Sequence, residues 1–68
     1  MNTYASPYDI GIGDSVNFNF KNYQVLINYI SGETDAKGYT PRSNRTILID
    51  DDGSRITVHD YSKLRIND

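Results

Sequence analysis

Arg45-Thr46-Ile47-Leu48-Ile49-Asp50-Asp51-Asp52-Gly53-Ser54-Arg55-Ile56-Thr57-Val58-His59 is the stretch that decides the fold. Two short runs rich in β-branched residues flank an Asp-Gly pair, the composition of two strands joined by a tight turn. A two-residue loop at Asp52-Gly53 sets Ile49 opposite Ile56, Ile47 opposite Val58 and Arg45 opposite Asp60 on one face. The other face then carries Asp50 against Arg55, Leu48 against Thr57 and Thr46 against His59. Apolar residues meet apolar ones and opposite charges meet, so strands at 45–50 and 55–59 are expected in this register, with Ile47 and Ile49 in the core.

Upstream, residues 14–20 alternate, with Val16, Phe18 and Phe20 on one face and Ser15, Asn17 and Asn19 on the other. This is the period-two signal of a half-buried strand. Residues 23–30 resume it, with Tyr23, Val25, Ile27 and Tyr29 on one face. A turn at Lys21-Asn22 pairs Phe20 with Tyr23, Phe18 with Val25 and Val16 with Ile27. Downstream, 60–63 is a short break and Leu64-Arg65-Ile66 a last short strand. The expected interior is Val16, Phe18, Val25, Ile27, Ile47, Ile49, Ile56, Val58, Leu64 and Ile66. Residues 1–12 show no sustained periodicity and contain Pro7 and Gly11, which predicts an irregular N-terminal arm. Residues 31–44 form a polar loop, long for a compact domain and therefore a candidate for function.

Strand, tight turn, strand, long loop, strand, Asp-Gly turn, strand, short break, short strand is an order that resembles a small SH3-like barrel of the KOW or Tudor type. Gly13-Asp14-Ser15-Val16, Ile47 to Gly53, and Val58 to Ile66 with Tyr61-Ser62-Lys63-Leu64 carry the resemblance. It implies an all-β, five-stranded SH3-like barrel over residues 13–68, whose break at 60–63 is a helical turn before the closing strand. Such barrels bind peptides, methylated side chains, nucleic acids or other proteins, so the fold does not choose the function.

Composition narrows the choice. At 68 residues the chain makes one domain with a small core. It has no cysteine, hence no disulfide and no thiolate for a metal, and no apolar run long enough to span a bilayer. With no charged-then-apolar leader either, a cytoplasmic protein is expected. Formal charge is −2, seven Lys and Arg against nine Asp and Glu, which disfavours a dedicated nucleic-acid binder. Ile, Asn, Tyr, Lys, Phe and Met number 27 against 13 for Gly, Ala, Arg and Pro, which suits an AT-rich genome, whether of a bacteriophage or of an ordinary bacterium.

No enzyme constellation emerges, so no catalytic residue, metal ligand or cofactor is expected. His59 is the only histidine and is expected on the outer face. Asp50, Asp51 and Asp52 read as a hairpin tip, because Leu48 and Ile49 break calcium-loop spacing. Gly11 and Gly13 lack the third glycine of a dinucleotide fingerprint, since Val16 stands there. Lys37, Tyr39 and Arg42, with Arg45 beside them, interleave basic and aromatic groups in and next to the long loop. Tyr4 and Tyr8 offer further contact area from the arm. The expected function is a non-catalytic module that binds a larger protein, as an adaptor or an inhibitor, through these six residues. The alternative is a nucleic-acid-binding barrel that uses the same loop.

Overall fold

The computed structural model describes residues 3–67, with the side chains of Thr3 and Tyr4 outside that description. Its strands are β1 (Thr3–Tyr4), β2 (Ser15–Phe18), β3 (Lys21–Tyr29), β4 (Arg45–Ile49), β5 (Arg55–Val58) and β6 (Leu64–Ile66), with a 3-10 helix at Tyr61–Lys63. They form one antiparallel sheet in the order β1-β6-β2-β3-β4-β5. The protein is all-β, as its β-branched alternation requires. The helical turn and last strand fall at 61–66, and β6 returns beside β2. Asp60 begins that turn by accepting the Ser62 N–H at 3.0 Å. The hydrogen-bonded ladder is open, with β1 and β5 as its edges. The N-terminal segment is more ordered than an irregular arm: β1 pairs with β6, the Ala5 N–H donates to the Leu64 carbonyl at 2.9 Å, and Ala5 and Ile10 are buried.

Turn chemistry corrects the first hairpin. Its loop is Asn19-Phe20, at φ +53° and +69°, and not Lys21-Asn22. Two central residues with positive φ make the type I′ connection whose twist matches that of the strands, and asparagine is a favoured residue for its first position. Phe18 therefore pairs with Lys21, Asn17 with Asn22 and Val16 with Tyr23. The shift is even, so Val16 stays inside, against Tyr23 on one side and Ile66 on the other. Phe20, expected on that same face, lies at the hairpin tip.

The second hairpin also turns differently. Its loop has three residues, Asp51-Asp52-Gly53, and only Gly53 takes positive φ, at +84°. Asp50 and Ser54 close it: the Asp50 N–H donates to the Ser54 carbonyl at 3.0 Å, while Asp50 Oδ1 accepts the N–H groups of Asp52 and Ser54. This local carboxylate turn outcompetes a two-residue loop and slips the register by one. Leu48 now faces Ile56 and Thr46 faces Val58, while Ile47 pairs with Thr57 and Ile49 with Arg55. A one-residue slip exchanges faces. Thr46 and Leu48 are fully buried, and Ile47 and Ile49 lie on the opposite face at intermediate exposure. The expected pairs Arg45–Asp60 and Asp50–Arg55 do not form in this register.

A β-bulge between Val25 and Ile27 makes the matching change in β3. Before it, Val25 pairs with Leu48; after it, Ile27 pairs with Ile47, Asn28 with Thr46 and Tyr29 with Arg45. The extra residue moves Ile27 and Tyr29 to the outer face and brings Asn28 inward.

Val16, Val25, Leu48, Val58 and Leu64 form the buried centre with Ala5 and Ile10, and Phe18, Tyr23, Ile56, Tyr61 and Ile66 pack around them. Ile27, Ile47 and Ile49 are the three expected core residues that leave it. A polar relay crosses this interior. Thr46 Oγ1 donates to Asn28 Oδ1 at 2.7 Å and lies 2.8 Å from the Tyr61 hydroxyl. The threonine has one proton and gives it to Asn28, so Tyr61 is the donor in the second bond. Asn28 Nδ2 then donates to the carbonyls of Pro7 at 2.8 Å and Ile10 at 3.2 Å, tying the N-terminal segment to the sheet. Burial pushes the Tyr61 phenol above its ordinary pKa, which keeps it protonated and able to donate.

Candidate functional site

The long loop is held by its own hydrogen bonds. At its base the Ser31 N–H donates to Asn44 Oδ1 at 2.7 Å, the Ser31 hydroxyl to the Arg42 carbonyl at 3.1 Å, and the Gly32 N–H to the Pro41 carbonyl at 3.1 Å. Further out, the hydroxyls of Thr34 and Thr40 meet at 2.6 Å. At the tip Asp35 Oδ1 accepts the N–H groups of Lys37 and Tyr39, both at 2.9 Å, and the Asp35 N–H donates to the Tyr39 carbonyl. Asp35 is thus a side-chain turn former. Pro41 is buried and anchors the returning limb.

This folding carries Tyr39 back onto the outer face of the sheet. Tyr29 and Arg45 are direct cross-strand partners there, just outside the bulge. The Tyr39 ring meets Tyr29 edge to face, with centroids 5.6 Å apart and planes at 85°. The Arg45 guanidinium lies 4.6 Å from the Tyr29 centroid and 5.9 Å from that of Tyr39, and its Nη2 donates to the Tyr39 hydroxyl at 3.1 Å. Each cation–π contact at an exposed site contributes about 0.5–1 kcal/mol, so the three side chains hold one another in place. Tyr39 remains 44% exposed. Next along the same face the register sets Ile27 against Ile47, with Ile49 beyond, all at intermediate exposure. A preorganised aromatic and cationic patch therefore runs into an apolar strip. The chain's own arginine thus occupies the face of Tyr29.

Of the six residues singled out from sequence, the fold brings Tyr39 and Arg45 together. Lys37 and Arg42 are exposed on the loop, outside the aromatic cluster. Tyr8 is 71% exposed and lines a different groove with Pro7, Ile12, Ile30 and Glu33. The side chain of Tyr4 lies outside the described residues. Tyr29 was expected to face inward, and only the bulge, whose trace in sequence is the unbroken Val25-Leu26-Ile27 run, turns it out.

Phe20 is a second residue that alternation misplaces. It is 95% exposed and sits in the left-handed region, which costs an L-residue roughly 1–2 kcal/mol. Beside it lies a groove of about 240 Å³ lined by Asn17, Asn19, Phe20, Ser62, Lys63 and Arg65.

Asp50 takes Lys21 Nζ at 2.8 Å, a bond that holds the Asp50 carboxyl below, and the Lys21 ammonium above, their ordinary pKa values. The turn's N–H groups reinforce the shift at Asp50, and the acidic run is a hairpin tip. His59 is exposed just past β5, not beside Thr46, whose partner is Val58. Among the described residues no three His, Asp or Glu gather as metal ligands, and no helix is long and apolar enough to cross a membrane. Compared with protein-family models, curated proteins and solved structures, the chain shows no significant match.

Proposed function

We propose that this protein is a non-catalytic binding module that docks on a larger protein through the outer face of its sheet, with Tyr39 at the centre of the contact. The observation that supports this most is the Tyr29–Tyr39–Arg45 cluster. A long loop spends its hydrogen bonds on returning one tyrosine to the sheet, yet leaves that ring 44% exposed. Held in this way, the ring loses little freedom on binding, a condition for a strong contact residue. Ile27, Ile47 and Ile49, at intermediate exposure, extend the patch as apolar surface. Adaptor and inhibitor are the two roles of this kind, and a fold held without cysteine suits a cytoplasmic setting.

Nucleic acid is the second reading, favoured by exposed Lys37 and Arg42 on the loop that carries Tyr39. The balance goes to protein because the formal charge is −2 and the Arg45 guanidinium is already stacked and hydrogen-bonded. The test is Tyr39→Ala measured against the protein partner captured from the native cell extract. At a contact centre the loss should reach about 2 kcal/mol, roughly thirty-fold in Kd, with the melting temperature little changed. A variant that binds as tightly as the wild type overturns the assignment.

A further inference from the structure

We propose that the open edge of β5 is a docking site for an extended segment of a different protein, which joins the sheet as an added antiparallel strand and sets an acidic side chain opposite Arg55 and a β-branched one opposite Thr57. The edge adjoins the outer-face patch through the Ile47–Thr57 pair, yet its backbone groups recognise a strand whether or not Tyr39 makes a contact.

Hydrogen-bond alternation identifies the free groups. The Asp50 N–H donates to the Ser54 carbonyl, so these two residues form a hydrogen-bonded pair at the end of the hairpin. Along an antiparallel ladder such pairs alternate with unbonded ones. Ile56 and Val58 therefore bond to Leu48 and Thr46, while the N–H and C=O groups of Arg55 and Thr57 point away from β4. No strand lies beyond β5, and among the described residues no turn or side-chain bond reaches those groups. Both residues are exposed. Their donors and acceptors thus face outward at strand spacing, a template for another chain. The opposite edge is blunted, since β1 has two residues and Pro7 follows soon after it. β5 has no proline and no bulge, and its one charge is Arg55.

The occupant follows from the side chains that flank these groups. A second copy would pair β5 with itself about a two-fold axis, in registers centred on Arg55, Ile56 or Thr57. Directly opposite Arg55 these set another Arg55, Thr57 or His59, so none supplies an acid, and each chain brings a charge of −2. Arg55 has no ion pair of its own among the described residues. The acids of the adjoining tip are turned toward β3: Asp50 and Asp52 act on Lys21 and hold its ammonium above its ordinary pKa, and Asp51 lines a groove with Tyr23 and Gln24. A foreign strand can place a carboxylate opposite Arg55, and opposite charges across a strand pair are stabilising. Two residues along, on the same face, its side chain continues the row Ile27–Ile47–Thr57, where a β-branched group packs. An antiparallel approach extends the pairing of the whole sheet and is the more stable per residue. Backbone bonds then supply affinity, and the two side chains supply selection.

The test is an amide NMR titration of the full chain with a capped Thr-Val-Thr-Glu-Thr peptide, whose Val and Glu meet Thr57 and Arg55 in antiparallel pairing. The peptide should move the Arg55 and Thr57 amide protons downfield as they gain acceptors. The same peptide N-methylated at Val and Glu loses the donors that face β5 and should bind at least about ten-fold more weakly. A peptide with Lys in place of Glu should bind roughly three-fold or more weakly. Thr57→Pro removes an outward N–H that β4 does not use, so the fold should be kept while binding falls at least about ten-fold. The N-methylated peptide decides the matter even where that variant is destabilised. The proposal is overturned if the first peptide leaves the Arg55 and Thr57 amides unmoved, or if either altered peptide or the folded Thr57→Pro variant binds undiminished. It is also overturned if concentrating the free chain alone moves those amides, which would assign the edge to a second copy.

Discussion

Leu48 and Ile47 are neighbours of nearly equal hydrophobicity, and the fold treats them oppositely. Leu48 is fully buried against Val25 and Ile56, whereas Ile47 lies on the outer face. Leu48→Ala should cost roughly 2–5 kcal/mol, the range for a large-to-small change in a core, and Ile47→Ala distinctly less. Denaturant unfolding of the two variants measures the difference, and equal losses would refute the register of the second hairpin. At Phe20 the sign reverses. Glycine there removes a left-handed cost of roughly 1–2 kcal/mol and adds about 0.5–1 kcal/mol of unfolded-chain entropy, so Phe20→Gly should stabilise the fold by up to about 1.5 kcal/mol. Neither contrast is visible in composition. Thr46-Ile47-Leu48-Ile49 has an apolar residue at almost every position, so alternation alone cannot say which pair points inward. An exposed phenylalanine breaks the period-two rule outright.

At the level of elements, strand existence was legible and strand facing was not. β2 to β6 each overlap a stretch where β-branched alternation predicts a strand, although β2 ends at Phe18 and β3 already begins at Lys21, where a turn was expected, and the 3-10 turn falls in the expected break. Register was set by three local events, the second of which left the facing of its strands unchanged. Asp-Gly suits a two- or a three-residue loop, and the Asp50 carboxylate, by accepting two backbone N–H groups, selects the longer one. Asn19 offers better type I′ chemistry than Lys21, which moves the first turn toward the N-terminus. The bulge in β3 has no turn residue to announce it, and it exposes Tyr29. The same Asp50 links elements by accepting from Lys21, which opens β3. Its lowered pKa stabilises the fold fully above the ordinary value of 3.8, and that gain is lost as pH falls through the lowered one. Acid titration of the melting temperature should therefore show a fall below about pH 4 that is smaller in Lys21→Met. A second link is Asn28, which bonds the carbonyls of Pro7 and Ile10 to buried Thr46. Asn28→Ala should cost about 1–3 kcal/mol through unsatisfied partners and speed hydrogen exchange at the Ala5 amide. Unchanged exchange would show that the N-terminal segment holds by packing alone.

For the molecule as a whole, the candidate site was half legible. The long loop drew attention to Tyr39 and Arg45 through its length and its mixture of basic and aromatic residues, and these two do meet. Tyr29 was hidden by the bulge and Phe20 by its turn, both tertiary or conformational facts that no composition carries. Tyr8 belongs to a segment whose Ala5 and Ile10 are buried, so removing that segment would damage the core as well as any contact it makes. The proposed role as a protein-binding module is tested most directly by affinity capture from the native cell extract, with the folded chain as bait, with and without nuclease. The prediction is one defined protein retained in both arms and lost from the Tyr39→Ala bait. Material that disappears with nuclease would contradict the account and place the loop's cations on nucleic acid instead.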